Sequence, residues 1–145
     1  MILNKQGYHI IKTILFFAFS RKAQLSIKEL SGRLHISEKV MEQVLLVLKK
    51  SGLLLSKRGP KGGYRLARDI CDMRMKDLID KTGQRIEIMY VENENRKDSP
   101  IEAIMGDLNM KIEDQVNKKL SEITVSGLVE ELRNKVVNTG LDYFI

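Results

Sequence analysis

The sequence predicts a mainly α-helical fold with one small β-hairpin: a winged helix-turn-helix followed by a long dimerisation helix. Three observations predict it. Two short amphipathic segments lie back to back between Ser26 and Lys50. A basic, glycine-rich hairpin pattern follows at once, from Leu53 to Ala67. Far downstream, apolar residues recur at near-heptad spacing from Ile101 to Leu120.

The elements follow in order. Lys5 to Ser20 carries a dense apolar stretch (Ile10, Ile11, Ile14, Leu15, Phe16, Phe17), which predicts a largely buried first helix. Its continuous apolar run, Ile14 to Phe19, falls far short of the ~20 residues that a membrane helix needs. The basic pair Arg21–Lys22 follows that run, whereas a signal peptide carries its charge in front. The expectation is a buried helix in a cytoplasmic protein.

Ser26-Ile27-Lys28-Glu29 is a capping box: the Ser26 hydroxyl can accept an orphan amide at the helix start, and Glu29 can reach back to the Ser26 amide. Leu30 and Leu34 then share the inner face of a short helix. Ser37 is a second N-cap candidate. From Glu38 to Lys50, residues Val40, Met41, Val44, Leu45, Val47 and Leu48 keep helical spacing. Lys49 and Lys50 close the negative end, with Gly52 beyond. Leu53–Lys57 reads as a strand, Arg58–Gly63 as a turn and Tyr64–Ala67 as the return strand. A hairpin directly after the second helix of such a pair is a wing. Its glycines allow close backbone approach, Pro60 stiffens the tip, and Lys57, Arg58, Lys61 and Arg65 supply charge with no acid between Leu53 and Arg68.

Further on, Met75 to Lys81 predicts a short helix ending at Gly83, and the alternation of Ile86, Ile88 and Tyr90 predicts a short strand. Ser99-Pro100-Ile101-Glu102 reads as a second capping box with Pro at the first helical position. The helix that follows should reach about Leu120, with a stripe of Ile101, Ile104, Met105, Leu108, Ile112, Val116 and Leu120. Such a stripe exceeds what a small winged helix can cover, and its simplest partner is its own copy in a second chain. Packing against the first helix is the alternative. Thr124 to Lys135 predicts a last helix that packs back on the first.

Charge divides the chain. The 145 residues carry a net +6. Residues 1–68 hold 14 Lys and Arg against only Glu29, Glu38 and Glu42, a net +11, while residues 69–145 hold 11 against 16 acids, a net −5. The first half is built for an anionic surface and the second is not. One cysteine excludes an internal disulfide and any site of several thiolates from this chain. His9 and His35 are not spaced as a metal pair. There is no nucleophile–base set, no phosphate-cradling motif and no metal-ligand spacing, so neither an enzyme nor a metal site is expected.

The run Ser56-Lys57-Arg58-Gly59-Pro60-Lys61-Gly62-Gly63-Tyr64-Arg65-Leu66-Ala67-Arg68 closely resembles the wing of the Rrf-two family of bacterial winged-helix regulators. Upstream, Ile36-Ser37, Met41-Glu42-Gln43-Val44 and Leu48-Lys49-Lys50-Ser51-Gly52-Leu53 resemble its recognition helix and exit, and the resemblance spans about residues 3–135. The N-terminus departs from it: Lys5-Gln6-Gly7-Tyr8-His9 stands where the family commonly has Lys-Gly-Arg-Tyr.

The resemblance implies that Ser37, Lys39, Val40, Glu42 and Gln43 face the major groove. There Glu42 can accept from a cytosine amino group, and Gln43 can pair with adenine or reach a phosphate. It also implies that Arg58 enters the minor groove, with Lys57, Gly59, Pro60 and Lys61 along the backbone. Sensing members hold an iron–sulphur cluster on three cysteines in a loop before the long helix. Here Val91–Pro100 has none, Ser99 and Glu102 stand near the expected ligand positions, and Cys71 lies elsewhere, so no cluster is expected. The implied organisation is a DNA-binding domain over 1–83, a connecting segment over 84–98, and a dimerisation helix with a C-terminal helix over 99–145. The expected function is a homodimeric, sequence-specific transcriptional regulator on double-stranded DNA at an inverted repeat. The alternative is a regulator whose DNA binding needs an interacting protein or a small ligand.

Overall fold

The computed structural model describes residues 4–89 and 99–140. Its elements are α1 (Lys5–Phe19), α2 (Ile27–Leu34), α3 (Glu38–Lys50), β1 (Leu54–Lys57), β2 (Gly63–Leu66), α4 (Met75–Lys81), α5 (Pro100–Glu122) and α6 (Val125–Thr139). The two strands pair antiparallel, with Leu54 opposite Leu66 and Lys57 opposite Gly63.

Helix α1 lies at the centre because little of its surface is polar. Ile10, Ile14, Phe16, Phe17 and Phe19 are buried, as is Thr13. Three helices, α2, α3 and α6, pack on it. From α2 come Leu30 and Leu34, from α3 Met41, Val44, Leu45 and Leu48, and from α6 Val125, Val129 and Val136, all in one core cluster. The last helix thus packs back on the first, as the apolar spacing of Val125 and Val129 indicates.

Local chemistry sets the ends. The Ser26 hydroxyl accepts the Glu29 amide at 3.1 Å, and the Glu29 carboxylate accepts the Ser26 amide at 3.1 Å, completing the capping box. Ser37 accepts from the Val40 amide at 3.3 Å and starts α3. The turn between α2 and α3 passes through His35 in the left-handed region (φ 54°). The Lys12 ammonium donates to the Leu34 carbonyl at 2.7 Å, so a cation from α1 satisfies the negative end of α2.

Two expected elements differ. The strand expected from Ile86 does not form: Arg85–Ile88 alternates exposed and half-buried residues, but no strand among the described residues pairs with it, and Tyr90 lies outside them. Alternation reports a half-covered face; a strand also needs an edge to bind. The second capping box is not made either. Ser99 occupies the N-cap position of α5 without a side-chain hydrogen bond. Pro100 at the first helical position has no amide to satisfy and presets the helical φ, which leaves this end with less need of a cap.

The apolar stripe of α5 divides. Ile101, Ile104, Met105, Leu108 and Ile112 stay in solvent, with Ile101 and Ile104 62% exposed. Val116 and Leu120, expected on the same face, turn inward: Leu120 packs against the core and Val116 faces α4. Helical geometry gives the reason, since each four-residue step overshoots one turn by about 40°. From Leu108 through Ile112 and Val116 to Leu120, the stripe winds from solvent onto its own chain.

The foot of α5 is fixed. The Met75 amide donates to the Ile123 carbonyl at 2.9 Å, the Val125 amide to Met73 at 2.9 Å, and the Ser126 amide to Cys71 at 3.0 Å. Leu48 is fully buried in the core. Leu48→Ala is expected to cost about 2–5 kcal/mol, read as a lower urea midpoint at unchanged slope.

Candidate nucleic-acid interface

Burial of Met41, Val44, Leu45 and Leu48 turns the opposite face of α3 outward. That face carries Lys39, Glu42, Gln43 and Lys50, all exposed, with Ser37 at its start. Leu46 lies among them at 51% exposure, a large apolar side chain that the helical spacing of the core set leaves on the outer face. Val40 departs from the expected arrangement: it is half-buried and packs against the core, so its contribution there is to packing.

The wing projects beside this face. Lys57, Arg58, Gly59, Pro60 and Lys61 are all exposed. The tip turn closes by a 2.8 Å bond from the Gly62 amide to the Gly59 carbonyl, with Gly59 at φ 106°. A Cβ on Gly62 would collide with the Lys57 carbonyl oxygen, so the tight turn requires glycine there. The return strand of the wing is braced from outside, because Leu25 and Tyr64 exchange backbone hydrogen bonds of 2.9 and 2.7 Å.

Between α3 and the wing lies an open cleft of about 560 Å³, floored by the first turn of α2. It gathers Lys28 from α2, Lys49 from α3, and Lys57 and Arg58 from the wing. Lys28 and Lys49 escape a reading of the sequence because no local motif joins them; only the crossing of α2, α3 and the hairpin does. Two of the three acids of the first half, Glu38 and Glu42, line the same cleft. The third, Glu29, is occupied elsewhere. Its carboxylate takes a hydrogen bond from the Lys22 ammonium at 2.8 Å and one from the Ser26 amide, and these hold it below the usual carboxylate range. The cleft can therefore pair phosphate oxygens with four cations from three elements, while two carboxylates can only accept from base donors or cations.

Known proteins share this fold. The family model for Rrf2, described as iron-dependent transcriptional regulator, matches residues 3–131. The chain is 25% identical over 132 residues to the HTH-type transcriptional regulator IscR of Vibrio atlanticus, covering 90% of this chain and 76% of that protein. It is 29% identical over 93 residues to IscR of Cereibacter sphaeroides, covering 62% and 60%. Among solved structures, T. potens IscR superposes with a TM-score of 0.70 at 24% identity, over 91% of this chain and 88% of that one. CymR, the global cysteine regulator of B. subtilis, gives 0.70 at 23% identity, over 90% and 98%. With the winged helix and its basic cleft in place, the family match makes the assignment: the chain belongs to the Rrf2 family of DNA-binding transcriptional regulators.

Proposed function

We propose that this regulator works as a cytoplasmic homodimer on an inverted-repeat operator, with α3 in the major groove and the wing in the flanking minor groove. Lys39, Glu42 and Gln43 read base edges, Arg58 enters the minor groove, and Lys28, Lys49, Lys57 and Lys61 hold phosphates. The observation that carries the reading is the solvent-facing row on α5, Ile101, Ile104, Met105, Leu108 and Ile112. Five large apolar side chains on one helical face are what a two-fold contact between copies buries. Among the described residues no helix is long and apolar enough to cross a membrane.

The family description invokes iron, and the donor set of this chain does not fit it. An iron–sulphur cluster needs several thiolates, and the sequence has only Cys71. That thiol is held above its ordinary value, first by its hydrogen bond to Asp69, then by burial and by the charges of Asp69 and Asp72, so it stays protonated at neutral pH. Among the described residues no group of three or more His, Cys, Asp or Glu could hold a metal ion.

A second reading, in which an interacting protein or small ligand governs DNA binding, is favoured by one observation. A cavity of about 290 Å³ separates α4 and residues 84–87 from α5, lined by Ile79, Ile86 and Val116 together with Lys76, Arg85, Glu87 and Glu113. A molecule seated there touches both the DNA-binding half and the long helix. Tight, specific operator binding by the purified chain alone argues against it.

Selection of bound sequences from a random DNA pool supplies the operator for three tests. Arg58→Ala is expected to weaken operator binding by about 1–3 kcal/mol in gel-shift titrations; unchanged affinity at moderate salt removes the wing from the interface. Ile104→Glu is expected to convert a dimer to a monomer in analytical ultracentrifugation and to lower operator affinity; a dimer that persists refutes the α5 contact. Asp69→Ala removes the acceptor and the charge that keep the Cys71 proton in place, which lowers the thiol's pKa. Iodoacetamide labelling at pH 8 should therefore quicken, and an unchanged or slower rate contradicts the assignment of Asp69 as that acceptor.

A further inference from the structure

A two-stranded hairpin is marginally stable by itself in water, yet a wing that reads a minor groove has to present its tip in one place. The Leu25–Tyr64 bonds brace β2 and stop one residue short of the tip. The tip, Arg58 to Gly62, lies beyond the last strand pair, Lys57 opposite Gly63. Among the described residues, one hydrogen bond ties this tip to the rest of the chain: the Gln24 side-chain amide donates to the Lys61 carbonyl at 2.5 Å. Gln24 is half-buried in the loop before α2, and its stem lies along the wing. A Cβ on Gly63 would stand 3.2 Å from Gln24 Cγ and 2.6 Å from the Leu25 carbonyl oxygen, so the glycine is what lets loop and wing approach this closely.

We propose that Gln24 is a positioning residue for DNA recognition: by holding the Lys61 carbonyl it presets the wing tip, and with it Arg58, for the minor groove. The inference rests on the wing reading above. Its physical basis is preorganisation. A tip that is free in solution must be ordered on the DNA, and that lost freedom is subtracted from the affinity; a tip already fixed loses little. Gln24 touches no DNA in this account and carries no charge, so its effect is confined to sites where the wing engages.

The test uses the full chain with Gln24→Met, which keeps the stem against Gly63 and removes the donor, and Gln24→Ala, which removes both. Leu25 keeps its two backbone bonds in each, so thermal unfolding should stay close to wild type. Operator affinity is expected to fall roughly three- to tenfold in both variants, the size of one lost hydrogen bond, with affinity for a scrambled duplex unchanged. Hydroxyl-radical footprints should lose protection in the outer minor grooves and keep it at the centre of each half-site. In an Arg58→Ala background, Gln24→Met should cause no further loss. Wild-type operator affinity in Gln24→Met, an equal loss on the scrambled duplex, or a full additional loss in the Arg58→Ala background each overturns the proposal. If Arg58→Ala itself binds as wild type, the wing reading falls and this inference with it; if Arg58→Ala weakens binding and Gln24→Met does not, this inference alone falls.

Discussion

The fold depends on covering α1. Its buried residues include both Phe16 and Phe17, and both Ile10 and Thr13, so one packing partner cannot hide it. Helices α2 and α3 cover part, and α6 from the other end of the chain covers more. This requirement explains the path of the second half. The chain must leave the wing, run out and return, and α5 spans about 34 Å in doing so. Its foot lands on the segment after the wing, where Met75, Val125 and Ser126 make backbone hydrogen bonds across the α5–α6 junction. The price of the return is the outer length of α5, whose apolar row has no partner within the described chain.

The proposed DNA-binding cleft shows a similar division of labour. Four cations from α2, α3 and the wing supply attraction that is indifferent to sequence. Glu38 and Glu42 stand among them and oppose it. A carboxylate near a phosphate is repelled unless it finds a donor, and in the major groove the cytosine amino group is such a donor. In the proposed complex the two acids weaken binding everywhere except where the base pattern suits them, which is how a repulsive element makes a site selective. The neutralisation of Glu29 by Lys22 and the Ser26 amide keeps the remaining acid of the first half out of this balance.

Much of this was legible in the sequence because it is local. The Ser26–Glu29 box, the Ser37 cap, the glycine-rich turn and the span of α4 each depend on residues within a few positions of one another. What escaped depends on partners. Ile86 and Ile88 alternate as a strand does, but alternation contains no information about a neighbouring edge. The α5 stripe was legible as apolar and not as divided, because a four-residue step looks the same in sequence whether the helix drifts or not; the drift carries Val116 and Leu120 onto the chain's own surface. Lys28 on α2, Lys49 on α3 and Gln24 in the loop before α2 meet the wing only after folding. The charge asymmetry between the halves pointed to the first half of the chain without naming these residues.

The fixed foot of α5 has a consequence for how two copies would read DNA. In the proposed dimer the separation of the two recognition helices is set by where α5 leaves its own domain and where it meets its partner. The first is held by the backbone bonds at Met73, Met75 and Cys71 and by Leu120 in the core. The second is set by side chains from Ile101 to Ile112. A rigid link between these two points lets the spacing of the half-sites be read as geometry, since one helical turn of DNA advances the groove by about 34–36 Å. Any signal that alters the half-site spacing through shape then acts on the α4–α5 contact or on the α5 pair, because α1 holds the neighbouring helices in a single packed core.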